Sequence, residues 1–506
     1  MIKNAITPIK YIEIKERTFK YAYIFNFLIL GVTFYLNLQS SALLKWPYLL
    51  QVVFTVFCAF FFRFNLAFFF IISFLFTEGQ IRIVWEYHPL ARLIFDIVLI
   101  ICIIRHLILA KKLFPKDQIP SILTFFIGLH FGWYIVEIFN PASENIFAVL
   151  AASKIYILPI LFFFLFLLTD WKWSEKRDRQ FIYLLLFLVI MESFLSIHQM
   201  RLQEKSLLSI SAYYQHSLRG SFFSGENFRP YGTSFLPGAI SVYFYLVLGM
   251  FFIHTQTPFQ TFLTYCSVAF NWFCLFISQV RSAFAKHVIL FGAIHLLFFF
   301  GQRYRFKRTM KFLPVIVLGF LFIPYFIYRM NFYFPDINFS SSIERVMIFK
   351  DVNKIKHQRI TLKSFLINSK KIITEYPLGR GVEKSGAAGA LTPYRLNYDA
   401  KTIWHYDNLF LAVLIDLGIG ALFYFFVILF IPLYLFYLLI KSLKEMDFTN
   451  AKILIVSLSV LVVMLIGNWG AVGILYTPEA FFFWYFCARG LSCRKSTDSR
   501  IKALAD

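Results

Sequence analysis

The chain has 506 residues, 59% of them hydrophobic and 15% charged, with a formal net charge of +23. A mean hydropathy of +0.67 excludes an ordinary soluble domain, and apolar runs near the roughly 20 residues that cross a bilayer core recur throughout. Phenylalanine, at 67 positions, reads as lipid-facing bulk with no chemistry attached.

Taken in chain order, hydropathy places spans near 21–38, 46–62, 64–77, 93–110, 120–139, 147–168, 180–198, 237–255, 260–279, 284–300, 311–329, 411–440, 452–468 and 475–490. The chain is expected to be an all-α polytopic integral membrane protein with 12–14 transmembrane helices, an even number preferred. The hairpin at Arg63-Phe64-Asn65 is the least defined, because its second arm is short. The stretch 405–440 exceeds one span and should begin at the interface before crossing. The expected organisation is N-terminal helices over 1–198, an outer loop over 199–236, and central helices over 237–330. A large outer loop over 331–410 precedes the C-terminal helices and tail of 411–506.

The short connections set the orientation. Lys3, Lys10, Lys15, Arg17 and Lys20 precede the first span. Lys172, Lys176, Arg177 and Arg179 form the next basic loop, and Arg303, Arg305, Lys307, Arg308 and Lys311 a third. Lys441 and Lys444, then Arg494 and Lys495, complete the set. All five groups fall on one side, which the positive-inside trend makes the cytoplasm, with both termini there and both long loops outside. Much of the charge is therefore topological, and nucleic-acid binding is not implied. The first twenty residues carry no apparent cleavable signal, and Tyr21 onward reads as an uncleaved anchor. Cys58, Cys102, Cys266, Cys274, Cys487 and Cys493 lie in spans or the tail, so neither outer loop has a disulfide framework or a cysteine metal site.

Some chemistry is missing from the sequence. There is no G-x-x-x-x-G-K-[ST] phosphate loop, no H-E-x-x-H, and no Asp-x-Asp pair for a metal-bound sugar nucleotide. Against that background several positions stand out. Arg281, with Lys286 and His287 just beyond, sits in a very short outer connection, where arginine opposes the positive-inside trend. Snorkelling to lipid phosphate is the plain alternative. Arg229 lies in Phe228-Arg229-Pro230-Tyr231-Gly232-Thr233-Ser234-Phe235, just before a span. A planar, permanently charged guanidinium suits a pyrophosphate. The 331–404 loop carries twelve basic residues against six acidic ones, enough to draw anionic headgroups, although a solvated basic face has the same composition. His405, in Trp404-His405-Tyr406-Asp407-Asn408, stands where this loop enters the membrane. It is either a general base at the bilayer surface or a histidine decorating a helix end. Asp96, Arg105, His130, Glu137, Glu192, His198 and Asp416 fall inside spans. They are expected to pair structurally, Asp96 with Arg105, and Asp416 to cap or orient the segment below His405.

Four short stretches together resemble the O-antigen ligase-related superfamily, which holds O-antigen ligases, O-antigen polymerases and bacterial O-linked oligosaccharyltransferases. They are Arg229-Pro-Tyr-Gly-Thr-Ser-Phe-Leu-Pro-Gly-Ala239, Ser278-Gln-Val-Arg281-Ser-Ala-Phe, Tyr376-Pro-Leu-Gly-Arg-Gly381, and His405-x-x-Asn408-x-x-Leu411 followed by Asp416-Leu-Gly-Ile-Gly-Ala-Leu422. Each is short and degenerate; their order and common outer placement carry the resemblance, over about 225–440. The Tyr406-Asp407 pair, where simpler forms are common, and the higher span count depart from it.

The resemblance implies a glycosyltransferase C-like fold in the bacterial inner membrane with a periplasmic site. The implied donor is a glycan on undecaprenyl diphosphate, and the acceptor a sugar, such as one of the lipid A-core. Arg281, Arg229 and, more weakly, Arg345 would bind the diphosphate. His405 would be the base, with Asn408 orienting it or touching sugar and Asp416 supporting. No metal or other cofactor is implied, because the diphosphate is already a good leaving group. Ligase, polymerase and protein oligosaccharyltransferase share this machinery, and the lack of an extra soluble domain favours the first two. A lipid-linked glycan flippase would explain the spans equally well but not a large outer loop ending in the His405 stretch. A non-catalytic scaffold predicts nothing for Arg281.

Overall fold

The structure is a computed structural model that describes residues 16–39, 41–85, 88–109, 118–142, 146–171, 173–203, 205–208, 223–224, 227–234, 237–278, 280–301, 329, 362–382, 408–476 and 478–494. It is helical almost throughout. The first half contains α1 (Glu16–Leu38), α2 (Lys45–Phe61), α3 (Phe64–Val84), α4 (Pro89–Leu109), α5 (Ser121–Ile138), α6 (Ile146–Tyr156), α7 (Leu158–Leu168) and α8 (Glu175–Leu202). The second half contains α9 (Pro237–His254), α10 (Pro258–Ile277), α11 (Arg281–Gly301), α12 (Leu362–Glu375), α13 (Leu409–Leu417), α14 (Ala421–Lys444), α15 (Phe448–Gly467) and α16 (Glu479–Leu491). A two-residue antiparallel ladder joins Phe223–Ser224 to Asn227–Phe228. Among the described residues seven helices are long and apolar enough to cross a bilayer, with shorter apolar helices between them. A polytopic membrane protein follows.

Three expectations change. The short arm predicted over 64–77 is the full helix α3, 94% buried over its apolar window. Its polar end misled hydropathy because the polar groups are satisfied inside the bundle: Arg82 Nε donates to Glu78 Oε1 at 2.5 Å, and the Gln80 amide bonds Asn37 and Tyr48. The single span predicted over 147–168 is two helices broken at Ile157, because Pro159 has no N–H for the carbonyl one turn before it. Asp96 does not pair with Arg105. Its carboxylate meets Lys154 Nζ at 2.6 Å, while Arg105 donates to the Phe61 carbonyl at 3.3 Å. Within the predicted segment 405–440, α13 and α14 are joined by a tight turn at Gly418–Gly420. The span predicted over 311–329 lies almost wholly outside the described residues.

Contacts define one basic end of the bundle. Arg177 sits 3.7 Å from the Phe19 ring centroid, Asn65 donates to the Asp170 carbonyl, and Asp178, His254 and Tyr485 form a hydrogen-bonded row. Those contacts gather the starts of α1, α3 and α8 with the ends of α7, α9 and α16. Lys452 on α15 reaches the Thr255 carbonyl there as well.

Candidate functional site

The opposite end holds the described parts of the four sequence stretches, and the structure joins them two by two. Arg229 Nε donates to the Ser278 carbonyl at 3.5 Å, so the first arginine stretch reaches the turn that carries Arg281. The segment 229–234 is non-helical yet mostly buried. Backbone of that kind is tolerated at membrane depth only where protein or a cavity satisfies it. Gln199 of α8 supplies much of that satisfaction. Its Nε2 donates to the Gly232 carbonyl at 2.8 Å, and its Oε1 accepts from the amides of Tyr231 and Gly232 at 3.0 and 2.7 Å. Thr233 then wedges into α3. Its hydroxyl donates to the Phe76 carbonyl and its own carbonyl accepts from Gln80 N at 2.7 Å, two groups an undisturbed helix pairs with each other. Glu192 closes the arrangement, one carboxylate oxygen accepting from Thr233 N at 3.0 Å and the other competing with the Phe76 carbonyl for the one Thr233 hydroxyl proton. The sequence reading marked Glu192 as a structural partner, and this is its partner. Burial pushes the Tyr231 hydroxyl above its ordinary range, so it stays a donor to the Ser206 carbonyl at 3.2 Å.

The second pairing sets the Tyr376–Gly381 turn against the Asp416–Gly420 turn. Arg380 N donates to the Ile415 carbonyl at 2.7 Å and Ile419 N to the Pro377 carbonyl at 2.9 Å. Both turns need glycine. Gly379 (φ +85°) and Gly418 (φ +54°) adopt left-handed backbone. A Cβ on Gly379 would lie 2.4 Å from the Asp416 carbonyl oxygen, and one on Gly418 2.2 Å from that of Pro377. Around this joint Tyr156 donates to Asp416 Oδ2 at 2.7 Å, Trp133 to the Leu417 carbonyl at 2.9 Å, and Asn140 to the Leu378 carbonyl at 3.2 Å. Glu137 is absorbed by Trp133 and Asn140, and His130 by the Tyr156 carbonyl. The Arg380 guanidinium lies 4.8 Å from the Tyr376 ring centroid.

A chain of contacts links the two pairings. Asn408 caps α13, its Oδ1 accepting from Leu411 N at 3.0 Å, while its Nδ2 donates to the Trp469 carbonyl at 2.7 Å. Beside Trp469, Asn468 donates to Glu479 Oε1 at 3.1 Å, which also accepts from the Tyr245 hydroxyl at 2.8 Å. Lys286, on the helix that Arg281 begins, approaches the same oxygen at 3.7 Å, with both side chains largely buried. The path from Arg281 to the base of the His405 segment thus runs through Lys286, Glu479, Asn468, Trp469 and Asn408. Helix α12 closes on the same place through Phe365, whose ring lies 4.9 Å from that of Trp469. Leu362, Leu366, Ile367 and Ile373 of α12 are exposed beside Lys363, Lys370 and Lys371, the composition of a helix lying in the headgroup plane.

Among the predicted site residues, Arg229, Asn408 and Asp416 are described with their side chains. Arg281 is described as the first residue of α11. His405 and Arg345 lie outside the described residues. Asn408 spends both ends of its amide on the cap and on Trp469. Among the described residues no three His, Cys, Asp or Glu side chains group as a metal would require. Sequence reasoning missed Glu479, Tyr245 and Asn468. The available signal was an acid opening the otherwise apolar stretch Glu479-Ala-Phe-Phe-Phe-Trp. Lys286 was noted only as a neighbour of Arg281. The chain matches no protein-family model and no curated protein.

Proposed function

We propose that the protein is a membrane glycosyltransferase that moves a glycan from undecaprenyl diphosphate to a sugar hydroxyl at the outer face of the bacterial inner membrane. The activity is of the O-antigen ligase or polymerase type. One observation supports this reading: the described parts of four stretches chosen from sequence for their resemblance, spread over nearly 200 residues, meet in pairs at one end of the bundle. In the proposed reaction Arg281 and Arg229 bind the donor diphosphate and stabilise the charge that develops as it departs. Arg345 assists from the loop. His405 takes the proton of the acceptor hydroxyl, whose oxygen attacks the anomeric carbon in line and inverts it. The C–O bond to the diphosphate breaks, and its electron pair leaves with undecaprenyl diphosphate. A positioned base of this kind contributes roughly 100- to 10,000-fold. Asn408 and Asp416 position the segment: one caps its helix and the other anchors the turn below it to Tyr156.

Replacing His405 by Ala is the direct test. Surface glycan transfer should fall nearly to zero at unchanged protein level in the membrane, and retained transfer would rule the mechanism out. Loss of the gene then identifies the acceptor. Lipopolysaccharide core without O-chain means ligase and core with a single repeat means polymerase. Unchanged bands mean a different acceptor, such as protein.

A further inference from the structure

The basic end carries a second site that the proposed transfer does not use. The α2–α3 turn, the end of α4 and the residues after α7 enclose a cavity of about 230 Å³ lined by Arg63, Asn65, Arg105, His106 and Asp170, among others. Two arginines and one aspartate are among its lining residues, so its formal charge is positive without counting His106. Helix α3 begins at its wall, where Arg63 supplies no side-chain cap. The first amides of that helix therefore add to the positive potential. Against this cavity lies a groove of about 550 Å³ between α4, α5 and α7, lined by Leu107, Ile127, Phe131, Phe164 and Leu165. The two share His106 and Leu168 as a common wall. The groove therefore adjoins the cationic cavity and runs from it along α4, α5 and α7. Gly128 is one of its lining residues, and no atom lies within 4 Å of where its Cβ would stand.

We infer that this paired cavity and groove binds an anionic phospholipid of the leaflet at the basic end, its phosphate between Arg63 and Arg105 and an acyl chain along α4, α5 and α7. Charge complementarity selects the headgroup, because guanidinium groups bind phosphate oxygens through paired, charge-assisted hydrogen bonds. The adjoining apolar groove selects an amphiphile over a free anion. The site lies at the opposite end of the bundle from Arg229 and Asn408, so it stands or falls independently of the proposed transfer.

The test is native mass spectrometry of the full-length protein in detergent, offered phosphatidylglycerol or phosphatidylcholine with matched chains. Wild type should retain phosphatidylglycerol with a preference of roughly tenfold or more. Arg63→Gln with Arg105→Gln should abolish that preference. Gly128→Leu should reduce retention of phosphatidylglycerol while leaving both arginines in place. Because it places a side chain in open space and replaces glycine within a helix, it remains informative if the double arginine variant does not fold. Equal retention of the two lipids by wild type, or unaltered phosphatidylglycerol retention in Gly128→Leu, would overturn the assignment. So would displacement of the lipid by inorganic phosphate alone, which would make the cavity a free-anion site.

Discussion

Replacing Gly418 by Ala should undock the Tyr376–Gly381 turn from the head of α14. The new Cβ would stand 2.2 Å from the Pro377 oxygen, 2.3 Å from Gly379 N and 2.6 Å from the Leu378 carbonyl carbon. All three are backbone atoms, so no side chain can rotate away and the turns must separate. Separation breaks the Arg380–Ile415 and Ile419–Pro377 hydrogen bonds, each worth about 1 kcal/mol net. Holding alanine at φ +54° and ψ −130° costs at least about 1 kcal/mol more. The sum is about 3 kcal/mol, or roughly a hundredfold in the ratio of docked to undocked turn. Limited proteolysis within 362–382 reads that ratio, provided that opening and closing are fast relative to cleavage. Cleavage should accelerate by up to roughly a hundredfold, whereas Gly292→Ala, where nothing lies within 4 Å of the added carbon, should leave it unchanged. Gly379→Ala should match Gly418→Ala, and the double variant should be little worse than either, because both remove one contact. An additive double variant, or a Gly418→Ala protein that resists proteolysis like wild type, would refute the docking argument.

Thr233→Val removes the hydroxyl that joins Phe76 to Glu192 and should lower thermal stability in detergent, by about 1–3 kcal/mol for the buried acceptors left unpaired; an unchanged midpoint would mean that the wedge contributes nothing. Lys286→Met leaves Glu479 buried without its cation and should destabilise by roughly 3–5 kcal/mol, with Lys286→Met/Glu479→Gln recovering much of the loss in the same melt. If the double variant melts no higher than the single, the pair is not coupled. Asn408→Asp keeps the acceptor that caps α13 but loses the donor to the Trp469 carbonyl, so it should melt above Asn408→Ala yet below wild type. Equal midpoints for Asp and Asn would show that the Trp469 contact has no weight.

Membrane class was legible because its signal is local: apolar runs of bilayer length and an excess of lysine and arginine in alternate connections need no knowledge of packing. The four stretches were singled out by their joint resemblance to one superfamily's short motifs, and Arg281 also because arginine is unusual in so short a connection. Hydropathy failed where polar residues are satisfied by distant partners. The Thr77–Arg82 end of α3 reads as a loop until Asn37, Tyr48 and Thr233 are seen to take its polar groups. Glu479 failed likewise, because its meaning depends on Tyr245, 234 residues away.

The sequence by itself determined that the chain carries membrane-spanning helices and, for most of those described, roughly where they begin and end. Tertiary structure alone decided the pairings: Asp96 with Lys154 and not Arg105, Arg229 with the Ser278 carbonyl, and two glycine turns pressed backbone to backbone. The reason is physical. In a bilayer every buried polar group must find a partner within the protein, and which partner it finds depends on how the helices pack, a property that no local window of residues contains.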